Sequence, residues 1–377
     1  MPRKGDGNKN YLQKRLEKLF EGGNFDAILL YNTEERDSNF LYLTGFRSGV
    51  FEYTPLVATR DSVHVFASQL EYDTAISQAG KGGAIEVHHF DREKDFKSKI
   101  GKMLKGKVVG VDYSFLPYSE FRRLKKISGA KRFVDVSKAF GEARAVKDKT
   151  ELALMKKAID ITRYAFENVE ESFARGMSEV ELAGKFEYLL RERGAEGLAF
   201  STIVSFGSNA ALPHHMPDQT KLRENEFVLI DAGAKYGNYC ADMTRTFIFR
   251  PDVHSTKYKK MKEIIEVVER AHDGAIELMH EGEIAKNVHE YAANFIDSFG
   301  RHQYKGTFIH SLGHSIGIDV HDGFGGIGIY PGSKTVLKRG MVFSDEPGIY
   351  ITGFGGARIE DDILIGKKKG IMLSGEK

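Results

Sequence analysis

Phe227-Val-Leu-Ile-Asp-Ala-Gly-Ala-Lys-Tyr-Gly-Asn-Tyr-Cys-Ala-Asp-Met-Thr-Arg-Thr-Phe-Ile-Phe249 carries two apolar runs around a turn-rich Lys235-Tyr-Gly-Asn238, the pattern of a β-hairpin. A turn centred between Tyr236 and Gly237 sets Asp231 directly opposite Asp242. Like charges facing each other across a ladder are unfavourable. A cation therefore belongs between them, and a divalent metal is the obvious candidate. One Asp at a strand end reads equally well as solvated or capping; the opposed pair favours the metal.

Downstream, His310-Ser-Leu-Gly-His-Ser-Ile-Gly-Ile-Asp-Val-His-Asp322 gathers His310, His314 and His321 in a chain with 13 histidines. A lone histidine is more often a packing residue, but the interior glycines oppose a helix and leave the backbone open. Neutral imidazole is both a metal ligand and a proton handler. In Gly340-Met-Val-Phe-Ser-Asp-Glu-Pro-Gly-Ile-Tyr350, Glu346 ends an apolar strand. In Ala357-Arg-Ile-Glu-Asp-Asp-Ile-Leu-Ile365, Arg358 and Glu360 share one face of a strand read across 358–365. Taken alone, that pair reads as an Arg–Glu surface ladder. Carboxylates embedded in apolar strands are nevertheless costly unless paired or metal-bound. The four segments together offer carboxylates and imidazole without thiolate, which suits Mn²⁺, Co²⁺, Fe²⁺ or Zn²⁺ and not a structural zinc cluster. Enough carboxylates are present to bridge two metals about 3.5–4 Å apart that share an activated water, the chemistry of hydrolysis.

The remainder of the chain sets the frame. Its 377 residues predict two domains at about 150 residues each. Hydrophobic residues at 41% and charged residues at 29% describe a globular chain. The net charge of +2 gives no global field for nucleic acid or membrane. The single cysteine, Cys240, excludes an intrachain disulfide framework, fits a cytoplasmic setting and reads as a buried small residue. No apolar run approaches the ~20 residues that cross a bilayer, and the basic N-terminus lacks a secretory core.

Residues 1–10 predict a frayed start, with a helix from Tyr11 onward. Strand runs at Asp26–Tyr31, Leu56–Thr59, Val63–Phe66, Lys107–Val111 and Arg132–Val136 alternate with helices near Gln69–Gln78 and Ser119–Ile127, predicting an α/β domain over 1–140. From 141 to 377 the pattern is α+β. Helices are expected from about Asp148, over Ser178–Arg193, Lys257–His280 and Ala285–Phe299. Strands are expected at Phe227–Asp231, Thr244–Phe249, Ile316–Val320, Met341–Glu346 and Arg358–Ile365. Ser178-Glu-Val-Glu181 is a capping-box sequence.

The segments Asp-Met-Thr-Arg-Thr-Phe, His-x-x-Gly-His-x-Ile-Gly and Glu-Pro-Gly-Ile-Tyr, in this order, resemble the pita-bread metallopeptidases. Asn39-Phe-Leu-Tyr-Leu-Thr-Gly-Phe46 and Glu142-Ala-Arg-Ala-Val-Lys147 resemble the N-terminal domain and domain junction of prolidases, aminopeptidases P and creatinases. Methionine aminopeptidases usually lack that domain, and creatinases do not use the metal ligand set. The resemblance implies an α+β pita-bread catalytic domain preceded by a smaller α/β creatinase-like domain. It implies two divalent ions, Mn²⁺ or Co²⁺ first and Zn²⁺ or Fe²⁺ as further choices, on Asp231, Asp242, His314, Glu346 and Glu360. It also implies that His214 and His310 contact substrate, that His321 binds the scissile carbonyl oxygen, and that Glu346 is the general base. Arg358 orients the carboxylate ligands. The implied activity is hydrolysis of Xaa-Pro bonds by a prolidase-like dipeptidase, with aminopeptidase P or an inactive peptide-binding homologue as alternatives. The implied state is a homodimer acting on proline-containing di- or oligopeptides. Ser315, Asp322 and His215 depart from the family pattern, and the glycine-rich loop 322–328 suggests mobility near the site.

Overall fold

The computed structural model describes residues 6–80, 83–323 and 327–375. Two expectations fall partly outside them, namely the frayed start (residues 1–5) and the glycine loop (324–326). The helix expected from Tyr11 already begins at Asp6 and runs to Phe20. The chain divides into two compact units, Met1–Arg144 and Ala145–Lys377.

The first unit is built on one mixed sheet of β1 (Ala27–Tyr31), β2 (Pro55–Ala58), β3 (Val63–Ala67), β4 (Ile85–His89), β5 (Val108–Val111) and β6 (Arg132–Asp135), in spatial order β4-β3-β2-β1-β5-β6. Strand β1 is buried along its whole length, as its unbroken apolar run requires for a central strand. Sequence reasoning missed β4, whose Ile-Glu-Val-His-His alternates weakly, and the short helix Ser38–Thr44. That helix is capped by Asp37, which accepts from the Asn39 backbone N–H, and stops at Gly45 with φ 65°. Asn39 itself donates to Asp112 at 2.6 Å and accepts from Arg144 at 2.9 Å, so its motif ties three distant segments together.

The second unit surrounds three three-stranded antiparallel sheets with helices: a small one orders Tyr239–Cys240, Ala234–Tyr236 and Gly197–Leu198, and two larger ones complete the set. One larger sheet orders Met243–Phe249, Glu226–Ala232 and Ile203–Phe206; the other orders Val342–Asp345, Asp361–Ile365 and Gly370–Met372. Helix Lys149–Val169 begins at a full capping box of Asp148 and Glu151, and Glu179–Glu192 at the expected box of Ser178 and Glu181. Helix Thr256–Leu278 buries Met261, Ile264, Val268 and Ala271 in a core shared with Phe227, Leu229 and Ile349. Each large side chain buried there contributes about 1.5–3 kcal/mol.

Two strand expectations fail. Ile316–Val320 is not a strand; the short strand is Gly313–His314, paired with Gly328–Ile329. At Gly317 an added Cβ would lie 2.2 Å from Asp322 Oδ2, so the chain folds tightly around that carboxylate. The run Arg358–Ile365 splits into strands Gly355–Arg358 and Asp361–Ile365, in separate sheets. Glu360 lies between them, bridged to Thr244.

Candidate metal centre

The hairpin exists, but two positions out of the expected register. Tyr236 pairs with Tyr239 and Lys235 with Cys240, so the turn is Gly237-Asn238. Both residues have positive φ, 59° and 71°, which is what a type I′ turn demands and why this Gly-Asn pair occupies its centre. Asp231 therefore faces Thr244 rather than Asp242. Asp242 sits just ahead of its strand, where its backbone N–H donates to Asp362 Oδ2 at 3.1 Å. The two aspartates still act on each other: burial, then repulsion by Asp231 and Asp362, raises the Asp242 carboxyl well above the usual carboxylate range. Between them in sequence, Cys240 is buried, and burial pushes its thiol up to about 12.

Arg358 and Glu360 are not a surface ladder, since each is only 2% exposed. Thr244 Oγ1 donates to Glu360 at 2.6 Å and accepts from Arg358 Nε at 3.1 Å. The guanidinium also donates to Asp231 Oδ2 at 2.6 Å and to the Tyr350 hydroxyl at 2.9 Å. Tyr350 in turn lies 2.8 Å from His310 Nε2. His310 Nδ1 is 2.8 Å from the Ser311 carbonyl, which can only accept. That contact assigns the His310 proton to Nδ1 and leaves Nε2 to accept from Tyr350. Burial, then Arg358, lowers His310 to about 4, so it stands as a neutral ring at the end of an Arg358–Tyr350–His310 chain.

His314 is held by its backbone N–H donating to Ser344 Oγ at 3.0 Å, and Ser344 also donates to Glu346 at 3.3 Å. Its Nδ1 lies 3.3 Å from the Ser315 carbonyl, which turns the Nε2 lone pair toward Asp242 at 3.5 Å and Glu346 at 3.6 Å. Those separations suit donors arranged around an ion about 2.1 Å from each. Asp242, His314 and Glu360 offer ligand atoms all within 4.8 Å of one another. Burial lifts Glu346 to about 7, and burial followed by repulsion from Asp242 and Glu346 lifts Glu360 well above its ordinary value. The Asp231 Oδ1 atom is buried with no hydrogen-bond partner among the described residues. Such a crowd of carboxylates with one imidazole and no thiolate fits divalent cations of the Mn²⁺ to Zn²⁺ kind.

Two cavities meet at these residues. One of about 390 Å³ is lined by His310, Ile327, Tyr330 and Arg358, and one of about 450 Å³ by Phe200, Ile203, Val320 and Glu360. Both are lined by Asp231, His314 and Glu346, and by His214 and His321. The His321 ring centroid lies 4.2 Å from that of His314; burial, then His314, lowers its pKa. The fold thus brings every expected site residue around one cleft.

The three departures from the family pattern have local partners. The His215 ring reaches buried Glu179 at 2.7 Å, anchoring the loop that carries His214. Asp322 pairs with Lys147 at 3.3 Å, both side chains nearly inaccessible, and Lys147 lies 3.4 Å from Ser315 Oγ. Sequence reasoning missed Lys147, Glu179, Tyr350, Thr244 and Asp362. Of these, Tyr350, Thr244 and Lys147 were signalled, by their places in the Glu-Pro-Gly-Ile-Tyr, Asp-Met-Thr-Arg-Thr-Phe and Glu142–Lys147 segments.

Comparison with known proteins gives the same frame. The profile of metallopeptidase family M24 matches residues 153–367, and that of the creatinase/prolidase N-terminal domain matches residues 13–146. The chain is 34% identical to an Xaa-Pro dipeptidase of Pyrococcus horikoshii, over 94% of each chain. It resembles the crystal structure of a prolidase from that organism with TM-score 0.83 and 33% identity, covering 97% of this chain and 98% of the other. It resembles an X-Pro aminopeptidase from Thermotoga maritima with TM-score 0.84 and 29% identity, covering 96% and 98%.

Proposed function

Because the chain belongs to metallopeptidase family M24, with a creatinase/prolidase N-terminal domain ahead of the family's match, we propose that it is a metal-dependent Xaa-Pro dipeptidase. The observation that carries this reading is the convergence of Asp231, Asp242, His314, Glu346 and Glu360 at the junction of two cavities. These five residues would hold two divalent cations, Mn²⁺ or Co²⁺ first, which when bound would supply neutralising charge, carbonyl polarisation and water activation.

The chain's own groups do the rest. The residue before proline occupies the cavity of Phe200, Ile203 and Val320, and proline the cavity of His310, Ile327 and Tyr330. His321 donates to the scissile carbonyl oxygen, where negative charge grows in the transition state. Glu346 takes the proton of the attacking water and delivers it to the departing proline nitrogen. Arg358 fixes Asp231 directly and Glu360 through Thr244. His310 presents a neutral ring to the proline, its two nitrogens already bonded, while His214 contacts the substrate from its loop. In this reading residues 1–140 form the accessory domain and 141–377 the catalytic one, and the enzyme works as a cytoplasmic homodimer. Among the described residues no helix is long and apolar enough to cross a membrane.

The test is release of proline from Met-Pro, and of arginine from Arg-Pro-Pro, by enzyme loaded with Mn²⁺, Co²⁺ or Zn²⁺, with Asp242→Ala as control. Cleavage of Met-Pro alone is expected. Cleavage of the tripeptide moves the assignment to an aminopeptidase P. Metal-dependent cleavage of neither, by folded and loaded protein, leaves the inactive peptide-binding homologue.

A further inference from the structure

A second cluster of ligand-type side chains lies in the first unit and takes no part in peptide hydrolysis. In the parallel pair β3–β4, His64 stands opposite Glu86, and His88 follows Glu86 by two positions, so all three share one face. We propose that His64, Glu86 and His88 form an additional, mononuclear site for a borderline divalent ion such as Zn²⁺, with the fourth position open to water.

The distances are those of a prearranged site. His64 Nδ1 lies 3.1 Å from His88 Nε2 and 3.4 Å from Glu86 Oε2, and His88 Nε2 lies 3.8 Å from that same oxygen. Three donors placed tetrahedrally about 2.0–2.1 Å from one ion stand about 3.3–3.4 Å apart. The three observed separations straddle that value. Hydrogen bonding alone explains one of them, the contact between the two rings.

The surrounding contacts orient these rings as ligands. His64 Nε2 lies 2.9 Å from Ser62 Oγ; a proton on Nε2 donated to that hydroxyl leaves Nδ1 with its lone pair toward the cluster. A polar partner on the far nitrogen is the usual way a protein fixes the tautomer of a ligating histidine. The His88 ring stacks on Phe66 with centroids 4.9 Å apart, which restricts its rotation before any ion arrives. Burial lowers the pKa of both histidines, favouring the neutral form that binds metal. Glu86 is 58% exposed, so an ion has a path from solvent and water can complete its shell. A bound ion would tie β4, the edge strand of the sheet, to β3 through side chains as well as the backbone ladder.

The experiment is zinc titration of the chelator-stripped full-length protein, by calorimetry with elemental analysis. It compares wild type with the His64→Ala/His88→Ala variant and with Glu86→Gln. The double variant is expected to bind one zinc fewer while its far-UV circular dichroism and its peptidase activity stay unchanged. Glu86→Gln is expected to weaken that zinc about tenfold or more. In a stripped Asp242→Ala/Glu360→Ala background, Co²⁺ should give the visible absorption of a tetrahedral ion, lost on adding His88→Ala. Equal zinc uptake by wild type and double variant overturns the proposal, and the cluster is then a hydrogen-bonded histidine pair only. Should the double variant fold differently, Glu86→Gln decides, and unchanged zinc affinity in it refutes the site.

Discussion

Removing the charge of Lys147 should be among the most damaging single changes outside the ligand set. Its ammonium lies 3.3 Å from Asp322, and the two side chains are 0% and 2% exposed. Its other neighbours, the Ser315 hydroxyl and the Ala145 carbonyl, are at 3.4 Å. Lys147→Met keeps most of the apolar stem but leaves a carboxylate buried without its cation. Breaking a buried pair from one side costs about 3–5 kcal/mol, far beyond a surface ion pair at about 0–1 kcal/mol. Asp322→Asn is nearly isosteric, yet it strands the ammonium and should cost a similar amount. The double variant Lys147→Met/Asp322→Asn buries no net charge, so it should lose less than the two single changes summed, by about 2 kcal/mol or more. Urea denaturation of metal-stripped protein, with the m-value checked for constancy, gives the four stabilities. Asp322 directly follows His321 and comes within contact of Gly317, so its displacement should also lower kcat/KM for Met-Pro about tenfold to a hundredfold. If Lys147→Met costs under about 1 kcal/mol, or the single effects simply add, the pair is screened by water and this reasoning fails.

Two other consequences can be checked. Tyr350→Phe removes the hydroxyl between Arg358 at 2.9 Å and His310 at 2.8 Å. It should cost about 1–3 kcal/mol of stability and, by freeing the His310 ring, raise KM for Xaa-Pro substrates more than it lowers kcat; an unchanged KM refutes the chain. His310 titrates near 4 in the folded protein, held down by burial and then by Arg358, against about 6.5 when unfolded. The unfolded state therefore binds the extra proton first. This contribution, about 3 kcal/mol at most, is fully present above pH ~6.5 and is lost as pH falls from there towards 4. The urea midpoint of stripped His310→Gln should fall less steeply over that window than that of wild type, and parallel slopes count against the assignment.

Four of the five expected metal-ligating positions stand at punctuation that local chemistry dictates, while the full ligand set is what the family resemblance implies. Asp231 and Asp242 flank a Gly-Asn turn, His314 lies between glycines, and Glu346 precedes a proline. Apolar periodicity likewise marked most helices and strands, since burying one face is a local demand on composition. Register was less secure. Centring the turn at Tyr236–Gly237 overlooked that Gly237 and Asn238 both suit positive φ, and this displaced Asp231 from Thr244 to Asp242.

What only the tertiary structure decided is how distant polar groups satisfy one another. Arg358 and Glu360 look like a surface ladder in isolation because a strand fragment does not reveal what covers it. They are buried because Thr244, Tyr350 and Asp231 arrive from other segments with matching donors and acceptors. Lys147 and Asp322, His215 and Glu179, and the His64–Glu86–His88 cluster are pairings of the same kind. Short-range patterning can place a charged residue on a strand or in a loop. Whether that charge faces water, a partner or an ion depends on which chain segment packs against it, and that is settled only when the fold closes.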